Sequence, residues 1–165
     1  MKQKASKKIG IADTMFSRGD MGSLAIEVMK KAAKENGWGI AITRRTVPGV
    51  KDIPLALLNL LEEGCFAAIA FGMPGKMPID KQCSHEASLG IAQVQLMTRK
   101  IVLECFVHED EGRTDEELGK IMHNRASKHS TNLLWMLFAP HELSSRAGKG
   151  ERQGKENAKA VELVP

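Results

Sequence analysis

The seven residues CFAAIAF at positions 65–71 are apolar without interruption, and the glycine- and proline-rich run GMPGKMP follows at positions 72–78. A short run with no polar face predicts a strand that is buried on both sides of a sheet. Three more short apolar runs predict the other strands, at residues 8–13, 39–47 and 101–107. Between them, apolar residues recur every three or four positions, which predicts helices at residues 22–36, 51–63, 80–97 and 114–138.

This alternation predicts an α/β protein whose parallel strands are joined by right-handed crossovers. Because buried parallel strands need cover on both faces, we expect a three-layer α/β/α sandwich with a four-stranded parallel sheet. Local signals support the helix limits: Gly37 follows the first helix as a stop, Pro54 suits the first turn of the second, and Asp80 is placed to cap the third.

The size and composition favour one domain over residues 1–165, because 165 residues with 42% apolar content can bury a core unaided. Cys65, Cys83 and Cys105 lack the spacing of a disulfide framework or a zinc site, so they are interpreted as small buried hydrophobic residues. No apolar run approaches the roughly 20 residues that cross a bilayer, and the first residues show no cleavable signal. We therefore expect a cytoplasmic protein without a membrane partner.

The net charge of +4 raises the question of a nucleic-acid partner. Positive residues concentrate at the two ends of the chain, namely Lys2, Lys4, Lys7, Lys8, Arg146, Lys149, Arg152, Lys155 and Lys159. Residues 109–117 are strongly acidic, and aromatic residues make up only 4% of the chain, too few for a base-stacking surface. We therefore expect no nucleic acid as partner.

Ligands of such sheets bind at the carboxyl ends of the strands, so the loops there are the candidate site. In the first loop, Phe16 either stacks on a flat heterocycle or packs over the end of the sheet. In the second loop, Val50, Lys51 and Asp52 lead into a helix, where free amides and a carboxylate suit hydroxyl groups. A helix cap is an equally good interpretation of Asp52.

The third loop contains Gly72, Met73, Pro74, Gly75 and Lys76, whose glycines allow a ligand close to the backbone. The loop lacks the glycine spacing of a phosphate-binding loop, and Met77 stands where such a loop needs Ser or Thr.

His85 and Glu86 follow in the first turns of the next helix, either as proton-transfer groups or as ordinary surface residues. The fourth loop, residues 108–111, reads HEDE and is interpreted as a solvated acidic run, with a divalent metal as the alternative. The basic tail at residues 144–165 either frays or reaches a neighbouring subunit, where Arg146, Lys149 and Arg152 could meet a ligand.

Four motifs together resemble the archaeal type of riboflavin synthase, a family similar in fold to lumazine synthase. They are VPG at 47–49, GMPGK at 72–76, CSHEASLG at 83–90 and RAGKG at 146–150, and the resemblance extends through nearly the whole chain. It implies a dismutation in which two molecules of 6,7-dimethyl-8-ribityllumazine exchange a four-carbon unit, giving riboflavin and a ribitylamino-pyrimidinedione. Such a reaction requires no organic cofactor, and a role for Mg²⁺ stays open.

The resemblance also implies roles for the loop residues. Phe16 would stack on a ring, Val50, Lys51 and Asp52 would receive a ribityl chain, and the loop at residues 72–76 would border the heterocycle. His85 and Glu86 are the candidates for proton transfer. Relatives of this kind are built on pentamers with sites between adjacent subunits, so the tail would complete a neighbour's site.

Two other functions stay open. A lumazine synthase would condense a pyrimidine with a four-carbon phosphate, but Ile79 and Met77 stand where those enzymes carry a loop histidine and a phosphate-binding threonine. A non-catalytic flavin-binding module would suit a flavodoxin-like order of layers, although the first loop lacks the hydroxyl side chains that a flavodoxin uses for phosphate.

Overall fold

The structure is a computed structural model that describes residues 6–164. Lys2 and Lys4, part of the basic start of the chain, lie outside the described residues. The strands are β1 (Lys7–Thr14), β2 (Ile40–Val47), β3 (Ala67–Gly72) and β4 (Ile101–Phe106). The helices are α1 (Met21–Asn36), α2 (Ile53–Glu62), α3 (Pro78–Thr98), α4 (Asp115–Phe138) and α5 (His141–Arg146), with short 3-10 turns at Val50–Asp52 and Glu109–Glu111.

The four strands form one parallel sheet in the order β2-β1-β3-β4. In the register, Ile11 of β1 pairs with Arg44 on one side and with Ile69 of β3 on the other, and Ile69 pairs with Leu103 of β4. The order reverses direction between β1 and β3, because the chain passes from β1 outward to β2 and then returns to the other side. The predicted four-stranded parallel sheet is confirmed.

Helices cover the sheet on both faces, so the predicted three-layer α/β/α sandwich is also confirmed. Alternate residues of β3 serve the two faces: Ile69 and Phe71 pack with α1 and α4, whereas Ala68 and Ala70 pack with α2 and α3. Every residue of β3 is buried, as the apolar run predicted. The edge strand β2 is different, because its side chains are half-buried or exposed.

Three local predictions need correction. Helix α3 begins at Pro78, and Asp80 is its third residue, whose Oδ2 accepts from the Met77 amide at 3.1 Å. The segment predicted as one helix at 51–63 divides into the 3-10 turn Val50–Asp52 and α2, with Pro54 in the first turn of α2. Helix α5 leads into the basic tail and includes its first three residues; no helix was predicted there, because six residues are too few to show a periodic pattern.

The cysteines divide into two kinds. Cys65 and Cys105 are buried, as predicted, and burial raises the pKa of the Cys105 thiol to about 12. Cys83 is only half-buried, since it faces the open end of the sheet, so the prediction of a core residue was wrong there. Across residues 6–164, none of the helices combines the length and the apolar character that a bilayer crossing requires.

Candidate active site

A cleft of about 350 Å³ lies at the carboxyl ends of β1 and β3, where the strand order reverses. Loops that leave neighbouring parallel strands on opposite faces separate at this point and leave a crevice. Its walls come from the first, second, third and fourth strand-end loops and from the start of α3. The lining residues are Thr14, Phe16, Arg18, Gly49, Val50, Met73, Pro74, Gly75, Asp80, Cys83 and Glu109.

The cleft brings together five of the residues proposed from the sequence, namely Phe16, Val50, Met73, Pro74 and Gly75. Phe16 is 73% exposed, so it is not a core residue that covers the end of the sheet. A large aromatic ring held in solvent at the mouth of a cleft offers a face to a flat ligand. Of the two interpretations of Phe16, the exposure favours stacking.

The third loop needs its glycines because other groups approach them closely. A Cβ on Gly75 would collide with the Asp80 carboxylate, which would have to shift, and a Cβ on Gly72 would lie 2.8 Å from the Phe106 ring. The loop is held to the fourth loop by the Glu109 amide, which donates to the Pro74 carbonyl at 2.9 Å. The Gly72 residue ends β3 below the cleft, and Lys76 is exposed beyond its rim.

The second loop supplies Gly49 and Val50 to the cleft, but Lys51 and Asp52 do not line it. One carboxylate oxygen of Asp52 accepts from the Gly49 amide at 3.1 Å, which is the capping role left open by the sequence. Lys51 Nζ donates to Glu86 Oε2 at 2.6 Å and thereby links the 3-10 turn Val50–Asp52 to α3.

The proposed proton-transfer residues His85 and Glu86 are exposed and lie outside the lining of this cleft. A helix turns about 100° per residue, so His85 lies about 200° around α3 from Cys83, which does face the cleft. Hydrogen bonds from Lys51 and then from Gln82 lower the pKa of Glu86, which makes it a weaker base than an ordinary glutamate. A role for His85 or Glu86 toward a neighbouring subunit stays a prediction.

Arg18 is the most informative residue that the sequence analysis missed. Its Nη2 donates to Asp115 Oδ2 at 2.6 Å, its Nη1 donates to Glu109 Oε1 at 3.3 Å, and its amide lies 3.4 Å from Met73 Sδ. Its position in the first strand-end loop was a signal, but only the fold shows that Arg18 lines the cleft and reaches Glu109 and Asp115. Thr14, Asp80 and Cys83 were missed as site residues for the same reason, and Glu109 was considered only as a member of a solvated acidic run or a metal site.

A second cavity of about 330 Å³ adjoins the cleft and shares Thr14 and Arg18 with it. Its polar wall is built around Asp13, which is 4% exposed and accepts from Thr46 Oγ1 at 2.6 Å and from Arg44. Arg44 also donates to Asp20 Oδ1 at 2.8 Å, so a buried carboxylate is fully paired at the end of β1.

The acidic run after β4 is paired with side-chain cations. Glu109 binds Arg18, Asp110 binds Lys81, and Glu111 binds Arg125 through a pair of hydrogen bonds. Within the part of the chain that the structure describes, no three His, Cys, Asp or Glu side chains gather in a way that could hold a metal ion.

The basic tail packs along α4 of its own chain and leaves the cleft of that chain untouched. The Arg146 guanidinium lies 4.3 Å from the centre of the Trp135 ring and pairs with Glu151 at 3.1 Å. Further along, the Gly154 amide donates to Asn124 Oδ1 at 2.8 Å, so the tail runs back along α4 toward its first turns. Lys149 is exposed, and Lys128 donates to the carbonyl of Arg152. Contact with a neighbour's site stays a prediction.

The comparisons with known proteins agree with this geometry. The sequence pattern of the 6,7-dimethyl-8-ribityllumazine synthase family matches residues 6–141, which include all four strands and the whole cleft. The chain therefore belongs to that family.

Its curated relatives carry a more particular name. Riboflavin synthase of Methanothermobacter thermautotrophicus is 52% identical over 152 residues, which are 92% of this chain and 97% of the relative. Riboflavin synthase of Aeropyrum pernix is 42% identical over 92% of this chain and 96% of the relative. That of Archaeoglobus fulgidus is also 42% identical, over 89% and 94% of the two chains.

Proposed function

We propose that this protein is a riboflavin synthase, which converts two molecules of 6,7-dimethyl-8-ribityllumazine into riboflavin and 5-amino-6-ribitylamino-pyrimidinedione. The observation that carries the proposal is the 52% identity to a riboflavin synthase over nearly the full length of both chains. In chemical class the protein is then a transferase of a four-carbon unit, acting on a small molecule in the cytoplasm.

The cleft suits the demands of this reaction. Two flat heterocycles must be held against each other, because fixing their orientation converts a rare encounter into a nearly intramolecular reaction. Phe16 offers a stacking face, and Pro74 and Gly75 border the space beside it. Val50 and the 3-10 turn that it begins would receive a ribityl chain, with Lys51 and Asp52 at its outer end.

Lumazine synthase is the second candidate, since it is the name of the family itself. That reaction needs a site for a phosphate and a group that carries protons. Met77 and Ile79, which replace the relevant residues, are 57% and 61% exposed at the start of α3 and can do neither. This makes dismutation the better proposal.

The deciding experiment supplies the purified protein with 6,7-dimethyl-8-ribityllumazine alone and follows lumazine absorbance and riboflavin fluorescence. We expect riboflavin to form without a second substrate, with one pyrimidinedione per riboflavin. Product formed only when the pyrimidinedione and the four-carbon phosphate are supplied together would overturn the proposal in favour of lumazine synthase. Tight binding of riboflavin with no turnover of either kind would leave a flavin-binding module.

We also propose that the active unit is a homo-oligomer, a pentamer by resemblance, with sites between subunits. Large apolar side chains remain exposed at the mouth of the cleft and along the outer face of α3, namely Phe16, Met77, Ile79, Leu89, Leu96 and Met97. Several large apolar side chains exposed on one region of a protein are typical of a protein interface. A neighbouring subunit on this surface would close the open side of the cleft.

The tail at residues 144–165 is proposed to complete the site of a neighbour, through Arg146, Lys149 and Arg152. Light scattering gives the number of subunits, and a truncation before Arg146 tests the tail. If the site is shared, a mixture of the truncated protein with Phe16→Ala subunits should be more active than the sum of the two proteins assayed separately, because some sites would then combine an intact Phe16 with an intact tail. Full activity of the truncated protein would show that the tail only packs against α4 of its own chain and contributes nothing to a neighbour's site.

We propose that turnover requires no organic cofactor, because a dismutation between identical molecules has no net oxidation. The residues after β4 fit a metal poorly, since Mg²⁺ there would have to displace Arg18, Lys81 or Arg125 from its carboxylate. A role for Mg²⁺ elsewhere in the site stays open. Loss of activity on dialysis against EDTA that Mg²⁺ restores would show such a role, whereas full activity after dialysis would exclude it.

A further inference from the structure

Arg18 stands where the two cavities at the carboxyl end of the sheet meet. It lines both the cleft and the second cavity, and it is the only cationic side chain among the described residues that line the cleft. Its side chain is 49% exposed, so the guanidinium is held at the surface of the cleft and not in the core. A ligand in either cavity would meet it.

Two carboxylates fix the direction of the guanidinium. Nη2 donates to Asp115 at the start of α4, and Nη1 donates to Glu109 in the fourth loop. A guanidinium has five N–H donors, and Nε takes part in neither of these bonds. The remaining donors are therefore held in place before a ligand arrives, so little reorganisation is needed when charge develops near them.

The reaction that the family performs creates such a charge. A lumazine must lose a proton from its 7-methyl group before a carbon–carbon bond can form. The methyl C–H bond breaks, the proton passes to a water of the open cleft, and the electron pair spreads over the heterocycle and its carbonyl oxygens. The other charged side chains in the lining are carboxylates, namely Glu109, which is paired with Arg18, and Asp80, which disfavours an anion.

We propose that Arg18 is a catalytic residue that binds the lumazine anion formed by loss of the 7-methyl proton. This inference rests on the proposed function and goes beyond it, since it assigns the step and the group. Arg18 keeps its own proton throughout, because a guanidinium does not act as an acid near neutral pH. It stabilises charge that is present after proton loss and absent in the neutral substrate.

The test follows the 7-methyl protons of 6,7-dimethyl-8-ribityllumazine in D₂O by NMR, with the uncatalysed exchange subtracted. We expect Arg18→Gln to lower both the enzyme-dependent exchange and kcat by about 100-fold, as loss of a donor to a developing anion does elsewhere. KM should change less than about threefold. Arg18→Lys should lie between, because it keeps the charge and loses the fork of donors.

Arg45→Gln is the matched control. Arg45 forms an ion pair with Glu63 at 2.9 Å, has a side chain that is 36% exposed, and lies outside the cleft. Its exchange rate and kcat should equal those of the unchanged protein. If Arg18→Gln folds and retains exchange and kcat within threefold, or raises KM alone, the proposal fails. If Arg18→Gln does not fold, Arg18→Lys becomes the test, because it retains a cation but lacks the planar set of guanidinium donors. Full exchange and full kcat in Arg18→Lys would overturn the role of those donors.

The exchange measurement separates this inference from the proposed function. Exchange involves one lumazine, whereas riboflavin formation requires two. An unchanged protein that exchanges the methyl protons without forming riboflavin would overturn the dismutation and leave Arg18 testable. A protein that forms riboflavin equally well with Gln at position 18 would overturn the Arg18 assignment alone.

Discussion

Two arginines bind the short turn Glu109–Glu111 from opposite sides, and they differ in burial. Arg18 binds Glu109 from the side of the cleft, and Arg125 of α4 binds Glu111 from the side of the core. The Arg18 side chain is 49% exposed, whereas that of Arg125 is 14% exposed. One arginine–glutamate pair therefore borders the cleft, and the other stabilises the fold.

The contacts of Arg125 explain the difference. Its Nη1 donates to the carbonyl of Phe106 at 2.7 Å and to Glu111 Oε1 at 2.8 Å, so one side chain joins the end of β4, the turn and α4. Gly154 of the tail lies against the same guanidinium. Arg18 instead joins the first and fourth loops across the mouth of the cleft. The side of the Glu109–Glu111 turn that binds Arg125 therefore stabilises the fold, and the side that binds Arg18 borders the cleft.

The largest effect should come from Arg125→Gln, which leaves the Glu111 carboxylate and the Phe106 carbonyl without their partner. We expect the free energy of unfolding to fall by about 2 kcal/mol, since removing one member of a partly buried pair leaves a charge and a carbonyl without their partner. Urea denaturation measures this. Arg18→Gln is the control, expected to lose far less stability than Arg125→Gln because its ion pairs are exposed and screened by solvent. Equal losses of unfolding free energy in the two variants would contradict the difference in burial between the two arginines.

Phe16→Ala should affect the ligand and leave the fold unchanged. Loss of one stacking face should weaken binding of the lumazine by about tenfold, whereas the unfolding free energy should change by less than about 0.5 kcal/mol. Fluorescence titration and thermal unfolding give the two numbers. Phe66→Ala is the control, because Phe66 is 54% exposed at the amino end of β3, far from the cleft. If both variants bind the lumazine normally, the stacking role is lost.

The smallest effect is a pH dependence carried by Glu111. Burial by itself raises its pKa, but hydrogen bonds from Arg125 and from the His108 amide outweigh it and hold the pKa below 4.5. Such a carboxylate stabilises the fold above the unfolded pKa, and this contribution is lost as the pH falls through the folded pKa. The stability difference between the unchanged protein and Glu111→Gln should therefore shrink from pH 6 downward.

Glu104 of β4 should show the opposite sign, which sharpens the test. Burial raises its pKa above 4.5, against a smaller opposing hydrogen bond from Ser88 at 2.9 Å. Protonation then favours the folded state, so the unchanged protein should gain stability relative to Glu104→Gln as the pH falls from 7 through the folded pKa. Parallel curves for Glu104→Gln and Glu111→Gln would contradict the difference in their surroundings.

The fold was predictable because its signals are local. The apolar run at residues 65–71 and the periodic helices identify buried strands and covering layers without any knowledge of their partners. The observed starts of two helices differ from the predicted ones, because the local signal there is compatible with more than one start. Asp80 is the third residue of α3 and not its cap, and residues 50–52 form a separate turn before α2.

The site was only partly predictable. The rule that ligands bind at the carboxyl ends of the strands selected the correct loops, and Phe16, Val50 and the Met73–Gly75 stretch do line the cleft. The rule does not say which way a side chain turns. Cys83 and His85 are two residues apart on α3, yet the first faces the cleft and the second faces away.

By itself, the sequence determined the class of fold, the order of strands and helices, the loops that carry the site, and the likeness to riboflavin synthases. Only the tertiary structure decided that Arg18 lies in the cleft, that Glu86 is tied to Lys51, and that the tail lies along α4. The reason is physical. The pattern of buried and exposed positions can be recognised from residues that are close in the sequence. An ion pair joins groups that are far apart in the chain, and whether they meet depends on how the helices pack.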